Sequence, residues 1–369
     1  MRRHMSFSRK SNRQRRTIIL SILGLFLVFS VGYAAFQTAI TINVKGNIKD
    51  KYLYDWVAKS AVSQNIDFSN VSSASNGKGV YVFPGTSNDT YPVYYYRGEV
   101  YNNNLLLNYV CFKIVRTTST GGTKIVYAGE ANNGVCDNHG ASMGIGSTKY
   151  NANGTDGDVK WVGYMYTTND TDDTSSTAKI AIDNFYETKL SGYSNYFEDT
   201  VWCNDRSVLR TDSDGTIFSA YARVRETYQP ILSCPNPEDN FTVSPSNGNG
   251  KLTYPIAMLT ADEIMMLGVP GSKSTAMNYY HNNVSGCNQG FSSWTLSPYR
   301  TYQGLDYMIW YGNCADLVVR TIPSNYAHEA VSASGIGAGV RPAVSLSHNV
   351  KITSGDGSSS HPYQVSLVE

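Results

Sequence analysis

Charge is scarce in this sequence. Asp, Glu, Lys and Arg make up 16% of its 369 residues, against about 25% in an average soluble domain. Disordered chains need the opposite, much charge and few aromatics, and here Phe, Trp and Tyr reach 12%. A basic excess is also missing. The formal net charge is +1, without the electrostatic footprint of a nucleic-acid binder. No two cysteines show the C-x-x-C spacing of a zinc or redox site. No fixed repeat period stands out, and no long low-complexity linker divides the chain.

The little charge there is lies unevenly. Arg2, Arg3, Arg9, Lys10, Arg13, Arg15 and Arg16 crowd residues 1–16, with no acid among them. The uncharged run Thr17 to Phe36 follows. Twenty helical residues span about 30 Å, the thickness of a bilayer's hydrocarbon core. A basic flank stays in the cytoplasm. The sequence therefore predicts a cytoplasmic tail over 1–16 and a transmembrane signal-anchor over 17–36. A cleaved signal peptide is the alternative, with Gly32-Tyr33-Ala34 as its small-x-small site. Either way residues 37–369 are delivered outside, on a cell-membrane anchor or as a secreted chain.

The cysteine count agrees with export. Six cysteines, an even number, read as disulfides in an exported chain. Sequential spacing suggests Cys111 with Cys136, Cys203 with Cys234, and Cys287 with Cys314, each closing a local loop.

Alternation of Ile40, Ile42 and Val44 suits a strand within a juxtamembrane region, 37–90, and a short helix is expected near Tyr52 to Val62. The main ectodomain is expected over 91–369. Its clearest β signal is a hairpin: Val110, Phe112 and Ile114 alternate with Cys111, Lys113 and Val115. The turn residues 117–122 follow, and Lys124 to Tyr127 returns. Ala178, Ile182, Phe185, Tyr186 and Leu190 share one helical face. Thr260-Ala261-Asp262-Glu263 is a capping box. Short strands and turns are expected after it. These elements make an α+β fold, mainly β with a few helices.

Catalytic and metal motifs fail on context. Gly140 to Gly144 spells G-x-S-x-G, but no buried strand precedes it and no helix follows. Pro342 follows the glycines of 335–339 too closely for a phosphate-binding helix. Asp212-Ser213-Asp214-Gly215 lacks the third acidic position of a calcium loop. The six histidines show no i, i+4 pair. The expectation is therefore no enzyme, no metal and no cofactor, with nothing to support bound calcium.

One region rises above the rest. Between Asn278 and Tyr326 the chain is dense in Tyr, Trp and Asn. Those side chains give stiff amphipathic contact surface and adaptable hydrogen bonding, the chemistry of binding loops. The expected ligand face is Tyr299, Tyr302, Tyr307, Trp310 and Asn313. Aromatic core of a β-rich fold is the plainer reading of the same residues.

Several segments together resemble a family of exported Bacillota surface proteins. They include Cys111 to Arg116, Leu259 to Glu263, Trp294-Thr295-Leu296-Ser297-Pro298 and Gly339-Val340-Arg341-Pro342-Ala343. The arrangement is also distantly similar to the C-type-lectin-like fold of formylglycine-generating-enzyme relatives. Their helix motif corresponds to Leu259 to Ile264, their W-x-x-S segment to Trp294 to Ser297, and their closing G-F-R-L to Gly339 to Pro342. The tryptophan of the helix motif and the late copper-binding cysteine pair are absent. The resemblance therefore implies a scaffold without the oxidase chemistry. It implies structural roles for Trp294 and Arg341, the latter paired with a buried carboxylate or with backbone carbonyls.

The expectation is a membrane-anchored surface protein that binds a glycan or a protein partner and no nucleic acid. A structural component of the envelope is the main alternative. An enzyme related to the formylglycine-generating family is a more distant one.

Overall fold

The computed structural model describes residues 51–368 except 74, 139–142, 154–157, 168–171, 269–290, 303–305, 313–316 and 324–336. These residues belong to one compact unit, Lys49–Glu369. The tail, the expected membrane segment at 17–36, the expected strand near Ile40, and Cys287, Cys314 and Asn313 lie outside the described residues. Among the described residues no helix is long and apolar enough to cross a membrane.

The hairpin anchors the larger sheet. Strand Val110–Thr117 runs antiparallel to Thr123–Glu130, with Ile114 opposite Ile125 and Phe112 opposite Tyr127. The turn between them is closed by the Thr118 hydroxyl, which accepts from the Gly122 amide at 2.8 Å. Gly121 there has φ +84°, a conformation glycine adopts without steric cost. Both faces of Val110–Thr117 are covered, and Lys113 is buried among its apolar neighbours.

Three arms leave this hairpin, making an eleven-stranded sheet. On one side Asn104–Leu107 pairs antiparallel with Val110–Thr117 through a tight turn at Asn108 and Tyr109, both at positive φ. Tyr363–Leu367 adds in parallel, then Val350–Ser354 and finally Lys51–Tyr52. The first described strand thus pairs close to the end of the chain. On another side Tyr94–Arg97 joins at Tyr95 opposite Arg116, followed by Gly79–Val82 and Ala61–Val62. The third arm runs from Thr123–Glu130 through Ala343–Leu346 to Ile256–Ala257. From Lys51 onward, the segment expected to be juxtamembrane therefore supplies strands to this sheet.

A second sheet runs in the order Val208–Asp212, Gly215–Phe218, Phe291–Tyr302, Asp306–Gly312, Leu317–Pro323. Gly337–Gly339 lies parallel to Phe291–Ser293 at its margin. One strand here is twelve residues long, where short strands were expected. Pro298 sits between two register shifts of that strand, the kind of break where a strand tolerates a residue without an N–H.

Among the described residues helices are few and short, and the fold there is mainly β. Leu53–Lys59 buries Leu53, Tyr54 and Val57. Thr177–Phe185 is capped by the Ser176 hydroxyl and extends as a wider turn to Leu190. Ala178, Ile182, Phe185, Tyr186 and Leu190 are all buried. Ala261–Met266 carries the full capping box, and every residue of it is buried.

Among the described residues two disulfides are present, Cys111–Cys136 and Cys203–Cys234. They fit an exported domain. The turn at Asp212–Gly215 holds an arginine where a calcium loop would hold its ion. Arg300 Nη2 lies 3.0 Å from Asp212 and 3.5 Å from Asp214.

Candidate functional site

Charges are buried where the capping-box helix meets the hairpin. Glu263 Oε1 accepts from Arg116 Nε and from Lys124 Nζ, each at 2.8 Å. Its other oxygen accepts the Thr260 amide at 3.0 Å, so one carboxylate both caps the helix and bonds two cations. Burial alone would raise the Glu263 pKa. Lys124 and Arg116 outweigh it and hold the carboxyl at about 2. Lys124 is pushed down to about 8, by burial first and with Glu263 opposing. Its ammonium also lies 4.1 Å from the centre of the Trp202 ring.

A second group adjoins the first. Asp262 receives Arg223 in bidentate fashion, Nε to Oδ1 at 2.7 Å and Nη2 to Oδ2 at 3.1 Å. Arg223 Nη1 continues to Asp205 at 2.7 Å. Asp262 also accepts the Ile231 amide at 3.1 Å. That bond ties the irregular strap 230–234 to the helix, and Cys203–Cys234 ties its far end. A cavity of about 20 Å³, room for one water molecule, lies among Arg116, Asp205, Arg223, Asp262 and Glu263.

Beside this cavity opens a cleft of about 890 Å³, sharing Arg116 and the strap with it. Pieces of chain distant in sequence build it, chiefly the loop at Phe83 to Thr86, the hairpin turn at Thr118 to Thr120, the segment Glu198 to Val201, and the strap. Phe83, Val93, Val201, Pro230, Ile231 and Leu232 give it an apolar wall.

Two charged groups, Arg116 and Glu198, belong to this lining. Arg116 Nε is held by Glu263, and Nη1 donates to the Thr117 carbonyl at 3.0 Å. Nη2 donates to no group among the described residues. Glu198 accepts from the Thr118 hydroxyl and the Thr120 hydroxyl, each at 2.8 Å. Burial raises its pKa, with the two hydroxyls, Arg116 and His348 opposing. Arg116 and Glu198 therefore sense each other, yet the ion pair Arg116 forms is with Glu263. Asp199 lines the same cleft but is spent on structure. Its oxygens accept the Val243 and Ser244 amides at 2.8 and 2.7 Å.

The residues expected to form a ligand face are described only in part. Tyr299 is half-buried, its ring 5.4 Å from that of Tyr221. The backbones of Tyr302, Tyr307 and Trp310 lie in the second sheet. Their side chains, like Asn313, lie outside the described residues. Trp294 is buried, with Nε1 donating to the Thr148 carbonyl at 2.8 Å. Arg341 is fully buried and donates twice to the Tyr127 carbonyl, from Nε at 3.0 Å and Nη2 at 2.9 Å.

Sequence reasoning missed Arg116 and Glu198. Arg116 was visible as the last cation of a strand, and Glu198 only as one acid in a polar stretch. Nothing local joins positions 82 residues apart. Among the described residues no cluster of His, Cys, Asp and Glu is arranged to hold a metal ion. No protein-family model, no curated protein and no solved structure matches this chain.

Proposed function

We propose that this chain is an exported, non-catalytic binding module of the cell envelope, anchored through 17–36 and built on a lectin-like scaffold, and that the cleft beside Arg116 and Glu198 receives a peptide ligand. The cleft itself carries the reading. It is large enough for a few residues of peptide, apolar on its walls, and polar at two placed points, the usual make-up of a binding site. A sugar platform would offer Trp or Tyr ring faces. The one aromatic ring lining this cleft belongs to Phe83, which is 9% exposed.

The test is a paired screen of the full-length chain on peptide and glycan arrays. Two variants run beside it. Ser233→Trp fills the cleft from an exposed lip position, and Trp310→Ala with Tyr302→Ala alters the aromatic region. Peptide binding lost only in Ser233→Trp supports the proposal. Selective glycan binding lost only in the aromatic variant moves the site to that region and overturns it. A folded chain that binds neither array turns the reading toward envelope assembly.

A further inference from the structure

The cleft presents opposite charges that form no ion pair with one another. Arg116 is fixed by Glu263 and by the Thr117 carbonyl, so its remaining amino group is pre-organised rather than floppy. Glu198 is likewise fixed by two threonine hydroxyls. Each of its oxygens keeps acceptor capacity, since a carboxylate oxygen takes about two hydrogen bonds. A glycine stands where any side chain would push this carboxylate away. A Cβ on Gly122 would collide with Glu198 Oε1 and the Leu346 carbonyl. Asp199, the other carboxylate of the lining, is held to its own loop by the Val243 and Ser244 amides and the Asn247 side-chain amide. Glu198 is therefore the less engaged anion of the cleft, and it shares the lining with the Arg116 cation and with apolar side chains.

Such a pair recognises a dipole. A neutral sugar would hydrogen-bond to both groups but compensate neither charge, and an anion alone would meet repulsion from Glu198. A short peptide with free ends satisfies both groups: its carboxylate on Arg116 Nη2, its ammonium on Glu198, and its side chains on the Ile231 and Leu232 wall. Two or three extended residues span roughly 7–10 Å, within a cleft of about 890 Å³. We infer that the cleft selects a short peptide by its two free ends, with Arg116 reading the carboxylate and Glu198 the ammonium. The inference rests on the cleft being the ligand site.

The experiment is calorimetric titration of the full-length chain with trialanine, N-acetyl-trialanine and trialanine amide. Free trialanine is expected to bind about tenfold more tightly than either blocked form, the scale of one charge-assisted hydrogen bond. Glu198→Gln should erase the preference for a free ammonium and leave the preference for a free carboxylate. That split separates recognition from a general loss of folding. Raising salt from 50 to 500 mM should weaken free trialanine more than the blocked forms. Equal affinity for all three peptides overturns the inference while leaving the cleft as a peptide site, provided Ser233→Trp still abolishes binding. Binding unaffected by Ser233→Trp overturns both.

Discussion

Replacing Glu263 by Gln isolates the charge at the heart of the buried network. Glutamine at this position of a capping box still reaches back to the Thr260 amide, so the helix start is kept. What disappears is the counter-charge for Arg116 and Lys124, each 2.8 Å away. The magnitude follows from proton affinity. The folded carboxyl sits at about 2 against an ordinary 4.5, and a tenfold change in proton affinity is worth about 1.4 kcal/mol. The charge therefore contributes about 3 kcal/mol at neutral pH. That is the low end of what breaking a buried ion pair costs. Lys124, already held near 8, can shed its proton and soften the loss. Because the folded pKa is below the unfolded one, this contribution is complete above about 4.5 and is lost as pH falls toward 2. Urea unfolding of wild type and Glu263→Gln at pH 7 should show the gap, and repetition at pH 3 should show it narrowing. Coincident midpoints at pH 7, or a gap that widens in acid, would refute the reasoning.

Three further outcomes are expected. Arg97 is fully buried and donates to four carbonyls, those of Asn70, Asn76, Met265 and Met266. Arg97→Lys cannot reach all four, and urea midpoints should register a loss of about 2–4 kcal/mol. Lys113 is held at about 7 by burial and by Arg341, so between pH 7 and 10.5 the unfolded chain binds a proton that the folded chain lacks. Stability from this group rises with pH over that window, and a pH series of midpoints should show Lys113→Met flattening the rise. Removing Cys203 and Cys234 together frees a 31-residue separation, worth about 3–4 kcal/mol in the chain-entropy account. Hydrogen exchange should speed up in the strap 230–234 first.

What the sequence disclosed was local. The capping box at Thr260 to Glu263 is a pattern across four residues, and its physics needs no distant partner. The helical face from Ala178 to Leu190 repeats at one period along one element. Two disulfides join sequence neighbours, Cys111–Cys136 and Cys203–Cys234, because each closes a short excursion of chain. What stayed hidden was non-local. Lys113 is charged, yet a neighbouring arm of the sheet buries it beside Asn104, whose Oδ1 it reaches at 2.8 Å. The strand pairing of Lys51–Tyr52 with Val350–Ser354 crosses almost the whole described chain. The cleft depends on the same kind of closure, since it exists only once Phe83, Arg116, Glu198 and Ile231 are brought together. The density of Tyr, Trp and Asn late in the chain was the louder signal, because composition is visible along a sequence and concavity is not.

The most direct test is a crystal structure of the full-length chain grown with trialanine. The account predicts peptide density in the cleft, its carboxylate within hydrogen-bonding reach of Arg116 Nη2 and its ammonium on Glu198. Density against the strands at 299–312, with the cleft empty, would contradict it.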